Sequence, residues 1–185
     1  MQKLRIGICG SAGTGKTTLA VALATHLGFP LLKSRDITSG ILVRDGYDYA
    51  SGVHVEQFLA QANRQEEMLE KHVEFEQKNK QFVVERTAID LFAYAVMECH
   101  FEPEKVEKFY KLCKAHAKTY THLVVCPWGK RPLLSNNRRT LNPWYQFLIH
   151  SAEMAILDEW KLNYSIADGE GETRTELVIA SFPKS

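Results

Sequence analysis

Gly10-Ser11-Ala12-Gly13-Thr14-Gly15-Lys16-Thr17 constrains this chain more than any other stretch. It fits G-x-x-x-x-G-K-[ST], and its flanks agree with it. Leu4-Arg5-Ile6-Gly7-Ile8-Cys9 before it is short, apolar and β-branched, which reads as a buried strand. Thr18-Leu19-Ala20-Val21-Ala22-Leu23-Ala24-Thr25-His26-Leu27 after it is rich in Ala and Leu with no breaker, which reads as a helix. In that context the glycines let successive backbone N–H groups turn inward on one phosphate chain, and the helix dipole adds positive potential. The alternative is a glycine-rich turn with an accidental lysine. All four fixed positions and both flanks argue against it.

The motif assigns roles. The amides from Gly10 to Thr18 are the cofactor-binding run, Lys16 supplies a mobile point charge to the outer phosphates, and the Thr17 hydroxyl is a ligand for Mg²⁺. ATP with Mg²⁺ is therefore the expected cofactor pair. No N-K-x-D sequence for guanine selection is present.

Beyond the loop, strand and helix patterns alternate to the end. Strand candidates are Leu31-Leu32, Gln81-Phe82-Val83-Val84-Glu85, His122-Leu123-Val124-Val125-Cys126 and Tyr164-Ser165-Ile166-Ala167. Helices are expected over 37–43, 53–80, from Thr87-Ala88-Ile89-Asp90 (a capping box) onward, 103–118, 143–162 and 172–182. Five strands each followed by a helix predict an α/β protein, a three-layer αβα fold on a five-stranded parallel sheet. At 185 residues, one domain over 1–185 is expected. Ligands on such sheets bind at the carboxyl ends of the strands. The phosphate loop, Asp36, Glu85-Arg86, Pro127-Trp128 and Asp168-Gly169 all fall there.

Phosphoryl transfer needs a carboxylate for metal or acceptor proton, cations for the moving charge, and a lid against water. Glu85 ends a buried strand and suits the first need, and Arg86 beside it suits a phosphate unless it pairs with Asp90. Asp36, after the second strand, is the second carboxylate and a second metal candidate, unless it only stabilises a helix N-terminus. Thr87 and Asp90 read as cap residues. The irregular basic stretch 129–142 holds Lys130, Arg131, Arg138 and Arg139 and reads as a lid, with Arg138 or Arg139 closing over the triphosphate. A solvated loop is the plain alternative. Tyr47, Tyr49, Phe58, Tyr94, Trp128, Trp144 and Tyr145 are the aromatics expected near the crevice.

Composition removes several classes. A formal net charge of +1 gives no global attraction for nucleic acid or a membrane. Cys9, Cys99, Cys113 and Cys126 are scattered with no C-x-x-C pair, so buried thiols are expected rather than disulfides or zinc. No signal peptide or bilayer-length apolar run is visible, and a cytoplasmic location is expected by default.

Three patches carry a family resemblance: Gly10 to Thr18, Val83-Val84-Glu85-Arg86-Thr87-Ala88-Ile89-Asp90-Leu91-Phe92-Ala93-Tyr94, and Asn136 to Thr140. The chain resembles P-loop kinases of the nucleoside/nucleotide-kinase type. More narrowly, it is similar to the group that includes the kinase domain of nicotinamide-riboside kinases and phage and bacterial nucleotide-kinase-like proteins. The second patch looks like that family's strand ending in Asp/Glu-Arg, whose arginine works on the acceptor side. The third resembles an acid-glycine-x-arginine lid motif, with Asn136-Asn137 in place of the acid and glycine. The resemblance implies an ATP- and Mg²⁺-dependent phosphotransferase acting on a nucleoside, a nucleotide or a related small molecule, and related kinases are often homodimers. Two other readings stay open: a kinase acting on a modified base in DNA, and a nucleotide-binding regulatory ATPase with no small-molecule acceptor.

Overall fold

The computed structural model describes residues 3–47, 62–98, 103–134 and 140–182. The chain runs β1 (Arg5–Cys9), α1 (Lys16–Leu27), β2 (Leu31–Lys33), α2 (Ser34–Arg44), α3 (Ala62–Lys78), β3 (Phe82–Glu85), α4 (Ala88–Glu98), α5 (Pro103–Ala117), β4 (His122–Val125), α6 (Pro143–Glu159), β5 (Tyr164–Ile166) and α7 (Gly171–Ala180). The five strands form one sheet in the order β2-β3-β1-β4-β5, and every neighbouring pair is parallel. The strand that carries the phosphate loop is therefore central. Register aligns Ile8 with Glu85 on one side and Cys9 with Val125 on the other.

Both faces of the sheet are covered, which is why its inner strands are continuous apolar runs. Ile6, Ile8, Val83 and Val124 point to one face, where Leu19, Leu23 and Val178 of α1 and α7 close over them. Cys9, Phe82, Val84, Leu123 and Val125 point to the other, against Leu42, Met68, Leu91, Phe92, Phe109 and Leu157 from α2 to α6 and Trp160 just after α6. This is the expected three-layer α/β fold. Cys9, Cys113 and Cys126 are buried free thiols, as expected. No helix among the described residues is long and apolar enough to cross a membrane.

Element ends differ in two places from the sequence reading. Helix α2 begins at Ser34, directly after β2, rather than at Ile37. Ser34 is buried and its carbonyl accepts from the Thr38 hydroxyl at 3.0 Å, so the Ser-Arg-Asp stretch that looked like a lead-in is the first turn itself. Helix α6 ends at Glu159, because Lys161 adopts a left-handed backbone (φ 53°) and turns the chain toward β5. Residues 48–61, the start of the long helix expected from residue 53 and the aromatics Tyr49 and Phe58 among them, lie outside the described residues, as do Cys99, Asn136, Asn137, Arg138 and Arg139.

Candidate active site

The glycine loop leaves β1 at a close approach to the neighbouring strand. Gly10 has φ +140°, and a Cβ there would stand 2.5 Å from the Cys126 carbonyl oxygen. Gly15, with φ +83°, would drive a Cβ to 2.8 Å from Arg174 Nη1 and 3.1 Å from Arg131 Nε. Neither position admits another residue without displacing its surroundings. Gly15 is also the N-cap of α1, and no side chain caps that end, so its backbone N–H groups stay open to an anion.

Arg174 of α7 explains how the loop keeps its curvature. Its Nη1 and Nη2 donate to the Thr14 carbonyl, both at 3.2 Å, and Nη1 reaches the Gly15 carbonyl at 3.5 Å. Its Nε donates to the Ala167 carbonyl just beyond β5, at 3.0 Å. In a trans peptide the C=O and the following N–H point oppositely. Drawing the Thr14 and Gly15 carbonyls outward therefore turns the Gly15 and Lys16 N–H groups inward.

Lys16 is buried, and its Nζ donates to the Ser11 carbonyl at 2.6 Å. Burial lowers its pKa, Arg86 pushes the same way, and Asp90, Glu153 and Glu85 oppose the shift. The Thr17 hydroxyl donates to Glu85 Oε1 at 2.6 Å. The other oxygen, Glu85 Oε2, is buried without a hydrogen-bond partner among the described residues. A hydroxyl and a carboxylate with a spare oxygen are hard-oxygen ligands of the kind Mg²⁺ takes, and they stand beside a cradle for the phosphates that would complete its shell. The carboxylate that meets Thr17 is thus Glu85. Asp36 sits exposed in the first turn of α2, beyond the end of β2.

Arg86 follows Glu85 in a left-handed backbone conformation (φ 65°), uncommon for a residue with a side chain. Its N–H continues the β3–β1 ladder by donating to the Ile8 carbonyl at 2.9 Å. The guanidinium lies 4.7 Å above the Tyr94 ring and Nη2 donates to the Tyr94 hydroxyl at 3.4 Å, while Nη1 is buried without a partner among the described residues. Strain in the backbone and an unspent donor in the side chain make Arg86 a candidate to meet a ligand. The ion pair with Asp90 that the spacing allowed is replaced by this aromatic stack.

Asp90 does form the expected capping box. Its Oδ2 accepts from the Thr87 N–H at 2.7 Å and from the Thr87 hydroxyl at 3.0 Å. It also does more, since Oδ1 accepts from the Gly10 N–H at 3.2 Å and so ties α4 to the root of the loop. Burial, with Glu153 nearby, raises its pKa to about 7.

Three side chains reach the candidate site without a sequence forecast: Arg174, Gln146 and Glu153. Gln146 Oε1 accepts from the Ala12 N–H at 2.8 Å. Glu153 is fully buried, and neither oxygen has a hydrogen-bond partner among the described residues. Gln146, Ile149, Glu153 and Ile156 are the buried stripe of α6, so two polar residues stand in an apolar row. That intrusion was the available signal.

A cavity of about 110 Å³ opens between the loop and the described part of the basic stretch, lined by Ala12, Gly13, Thr14, Trp128, Arg131 and Gln146 among others. Trp128 packs on Phe147 (ring centroids 5.1 Å) and Trp144 (6.3 Å), so of the aromatics read from the sequence it lines the cavity while Tyr94 lies under Arg86. Lys130 lies 3.6 Å from Asp168 at the exposed rim. Among the described residues no cluster of three or more His, Cys, Asp or Glu could hold a metal.

A family model described as an AAA domain matches residues 5–174. The chain belongs to that family. Solved structures add the detail that the family description leaves out. A NadR protein solved in complex with NR is similar, with a TM-score of 0.69 at 19% identity, over 96% of this chain and 49% of that one. A deoxyadenosine kinase from M. mycoides with bound dATP has a TM-score of 0.59 at 12% identity, over 96% and 97% of the two chains. A thymidylate kinase from Ehrlichia chaffeensis has a TM-score of 0.58 at 14% identity, over 97% and 98%. The chain spans about half the length of that NadR protein and nearly all of the two smaller kinases. Curated protein sequences return no match. At these identities the likeness shows the fold, that of P-loop NTPases whose solved members here are nucleoside and small-molecule kinases.

Proposed function

We propose that this protein is an ATP- and Mg²⁺-dependent phosphotransferase that moves the γ-phosphate to a hydroxyl or phosphate of a nucleoside, a nucleotide or a related small molecule. The observation that carries the proposal is the 2.6 Å contact between Thr17 and Glu85, beside the Lys16 cradle. It joins the loop's metal-binding hydroxyl to the carboxylate that ends the adjacent strand. When bound, Mg²⁺ neutralises charge on the outer phosphates.

The strand order divides the labour. On the β4–β5 side of the loop stand Arg131 and Arg174, which suits the donor nucleotide. On the β3–β2 side stand Arg86 and Asp36, which suits the acceptor. The loop amides and Lys16 hold the phosphates being divided. Arg86 Nη1 donates to the moving or the acceptor phosphate. Glu85 is committed to Thr17 and Asp90 to its caps, so Asp36 is the acid left to take the acceptor proton. Arg138 and Arg139 complete a lid over the triphosphate from the stretch 129–142. The acceptor is a free small molecule in this reading, not nucleic acid.

The test is product analysis by mass spectrometry after incubating the protein with Mg·ATP and a pool of nucleosides, nucleotides and small alcohols. A phosphorylated acceptor supports the reading, and free phosphate alone sinks it in favour of an ATPase. Lys16→Ala should lower transfer by roughly a thousandfold or more while leaving the fold intact, because the site works by placing charge. Undiminished transfer in that variant would remove the cradle from the mechanism.

A further inference from the structure

One peptide of the loop is turned against its neighbours. The Thr14 and Gly15 carbonyls point out to Arg174, but the Ser11 carbonyl points in and accepts from Lys16 Nζ at 2.6 Å and the Thr14 hydroxyl at 2.9 Å. The Ser11–Ala12 peptide is planar, so its N–H must face the opposite way. It does, and Gln146 Oε1 receives it at 2.8 Å. Lys16 and Gln146 thus grip the same amide plane from its two edges. Gln146 is itself only 2% exposed, and α6 packs against α4, so the grip has a rigid base.

We propose that Gln146 is a positioning residue of the phosphate cradle: it locks the Ser11–Ala12 peptide with its carbonyl toward Lys16, so that the lysine is aimed along the loop. The proposal rests on the phosphotransferase reading and assigns it a residue outside the loop. Without an acceptor at position 146, the partly buried Ala12 N–H loses its protein partner, and nothing on that edge then holds the peptide against rotation. Rotation would carry the Ser11 carbonyl away from Lys16 and leave the ammonium without its strongest main-chain contact. Because Gln146 lies one turn into the helix that follows 129–142, the same bond ties the base of the basic stretch to the cradle.

Two variants separate this role from mere packing. Gln146→Leu keeps the size and removes the acceptor. Gln146→Glu keeps the acceptor and adds a charge that titrates. Calorimetric affinity for Mg·ATP and the kcat and KM of transfer are measured for both, beside the unaltered protein and Lys16→Ala, with the thermal midpoint as a control. Gln146→Leu is expected to weaken Mg·ATP about tenfold and lower kcat by a similar factor, with the midpoint nearly unchanged. In Gln146→Glu the carboxylate repels the phosphates at pH 8, and its protonated form at pH near 5 resembles the amide. Its transfer rate relative to the unaltered protein should therefore climb as pH falls. The proposal is overturned if Gln146→Leu binds Mg·ATP within twofold of the unaltered protein, or if the Gln146→Glu ratio is flat with pH. If the unaltered protein binds no Mg·ATP, the phosphotransferase reading fails first and takes the proposal with it. If it binds and transfers while Gln146→Leu matches it, the proposal fails alone.

Discussion

The two ends of the sheet bury the same kinds of charge and treat them in opposite ways. At the amino end, Glu76 of α3 accepts from Arg5 Nη2 at 2.8 Å and from the Tyr120 hydroxyl at 2.9 Å, with His116 Nε2 at 3.2 Å. Arg5 also donates to the Thr119 carbonyl and lies 4.7 Å above the Phe82 ring. Nearby His72 is fully buried, and burial holds its pKa down to about 3, so it stays neutral. At the carboxyl end, Glu85 Oε2, Arg86 Nη1, Ser11 Oγ and both oxygens of Glu153 are buried without hydrogen-bond partners among the described residues. The amino end has closed its carboxylate and guanidinium into pairs, and what it leaves without hydrogen-bond partners among the described residues are the ring nitrogens of His72, which is neutral, and Nδ1 of His116. The carboxyl end keeps valences open, which costs stability and leaves room for a ligand to complete them.

If the two ends differ in this way, removing one carboxylate from each should have opposite effects. Glu85→Ala takes away the partner of Thr17 and one ligand of the proposed metal. Phosphoryl transfer should drop by about a thousandfold, with a steeper dependence on Mg²⁺ concentration in steady-state assays. Thermal stability should hardly change, because the open end contributes little to it. A variant that keeps transfer but melts early would show that Glu85 is a structural acid and that the two ends are alike.

Glu76→Ala is the matching cut at the amino end. It takes the acid from a half-buried Arg5 guanidinium that still holds the Thr119 carbonyl, and it strands the buried Tyr120 hydroxyl, a loss of about 2 kcal/mol. Urea unfolding would read the loss. The kcat measured well below the new midpoint should stay within about twofold, since surface and core changes remote from a site act through stability. A large fall in kcat with intact stability would dissolve the distinction between the ends.

How much of this was readable beforehand follows the same division between local and tertiary causes. The strands were legible because a strand buried on both faces is a short apolar run, and Ile6-Gly7-Ile8-Cys9 and Phe82-Val83-Val84 are such runs. The cradle was legible because backbone geometry demanded glycine at 10 and 15, and glycine is visible. Glu85 was legible because a strand that ends in an acid places it at the sheet's carboxyl edge. Arg174 and Gln146 were not. Each reaches the loop from a helix far along the chain, and helix docking, which no local pattern encodes, decides which polar side chain arrives. Arg86 fell between, because its position followed from the strand but its aromatic stack on Tyr94 depended on how α4 settled. Asp36 is a further case: its place after β2 was legible, but its place inside the first turn of α2, exposed at the acceptor side, depended on a helix that starts earlier than its pattern suggests.

The smallest effect is the most diagnostic of the open end. Glu153 lies fully buried, 3.8 Å from His150 Nδ1, and raises the pKa of Asp90 together with burial, to about 7. Between the ordinary 3.8 and about 7, the unfolded chain has lost the Asp90 proton and the folded chain has kept it. The folded state therefore binds more protons in that window, so this group's contribution to stability falls as pH rises through it and levels off above about 7. Glu153→Gln removes the neighbouring charge and should add about 1 to 2 kcal/mol at pH 8. The gain should narrow toward pH 6, where Asp90 already holds its proton and the repulsion is gone. Urea unfolding at the two pH values would show it. A gain at pH 8 accompanied by slower transfer would mean that Asp90, through the Gly10 N–H, transmits the strain of a buried carboxylate pair to the root of the loop. A loss of stability at both pH values would mean instead that Glu153 is paired by contacts its burial conceals, and that the carboxyl end is as closed as the amino end.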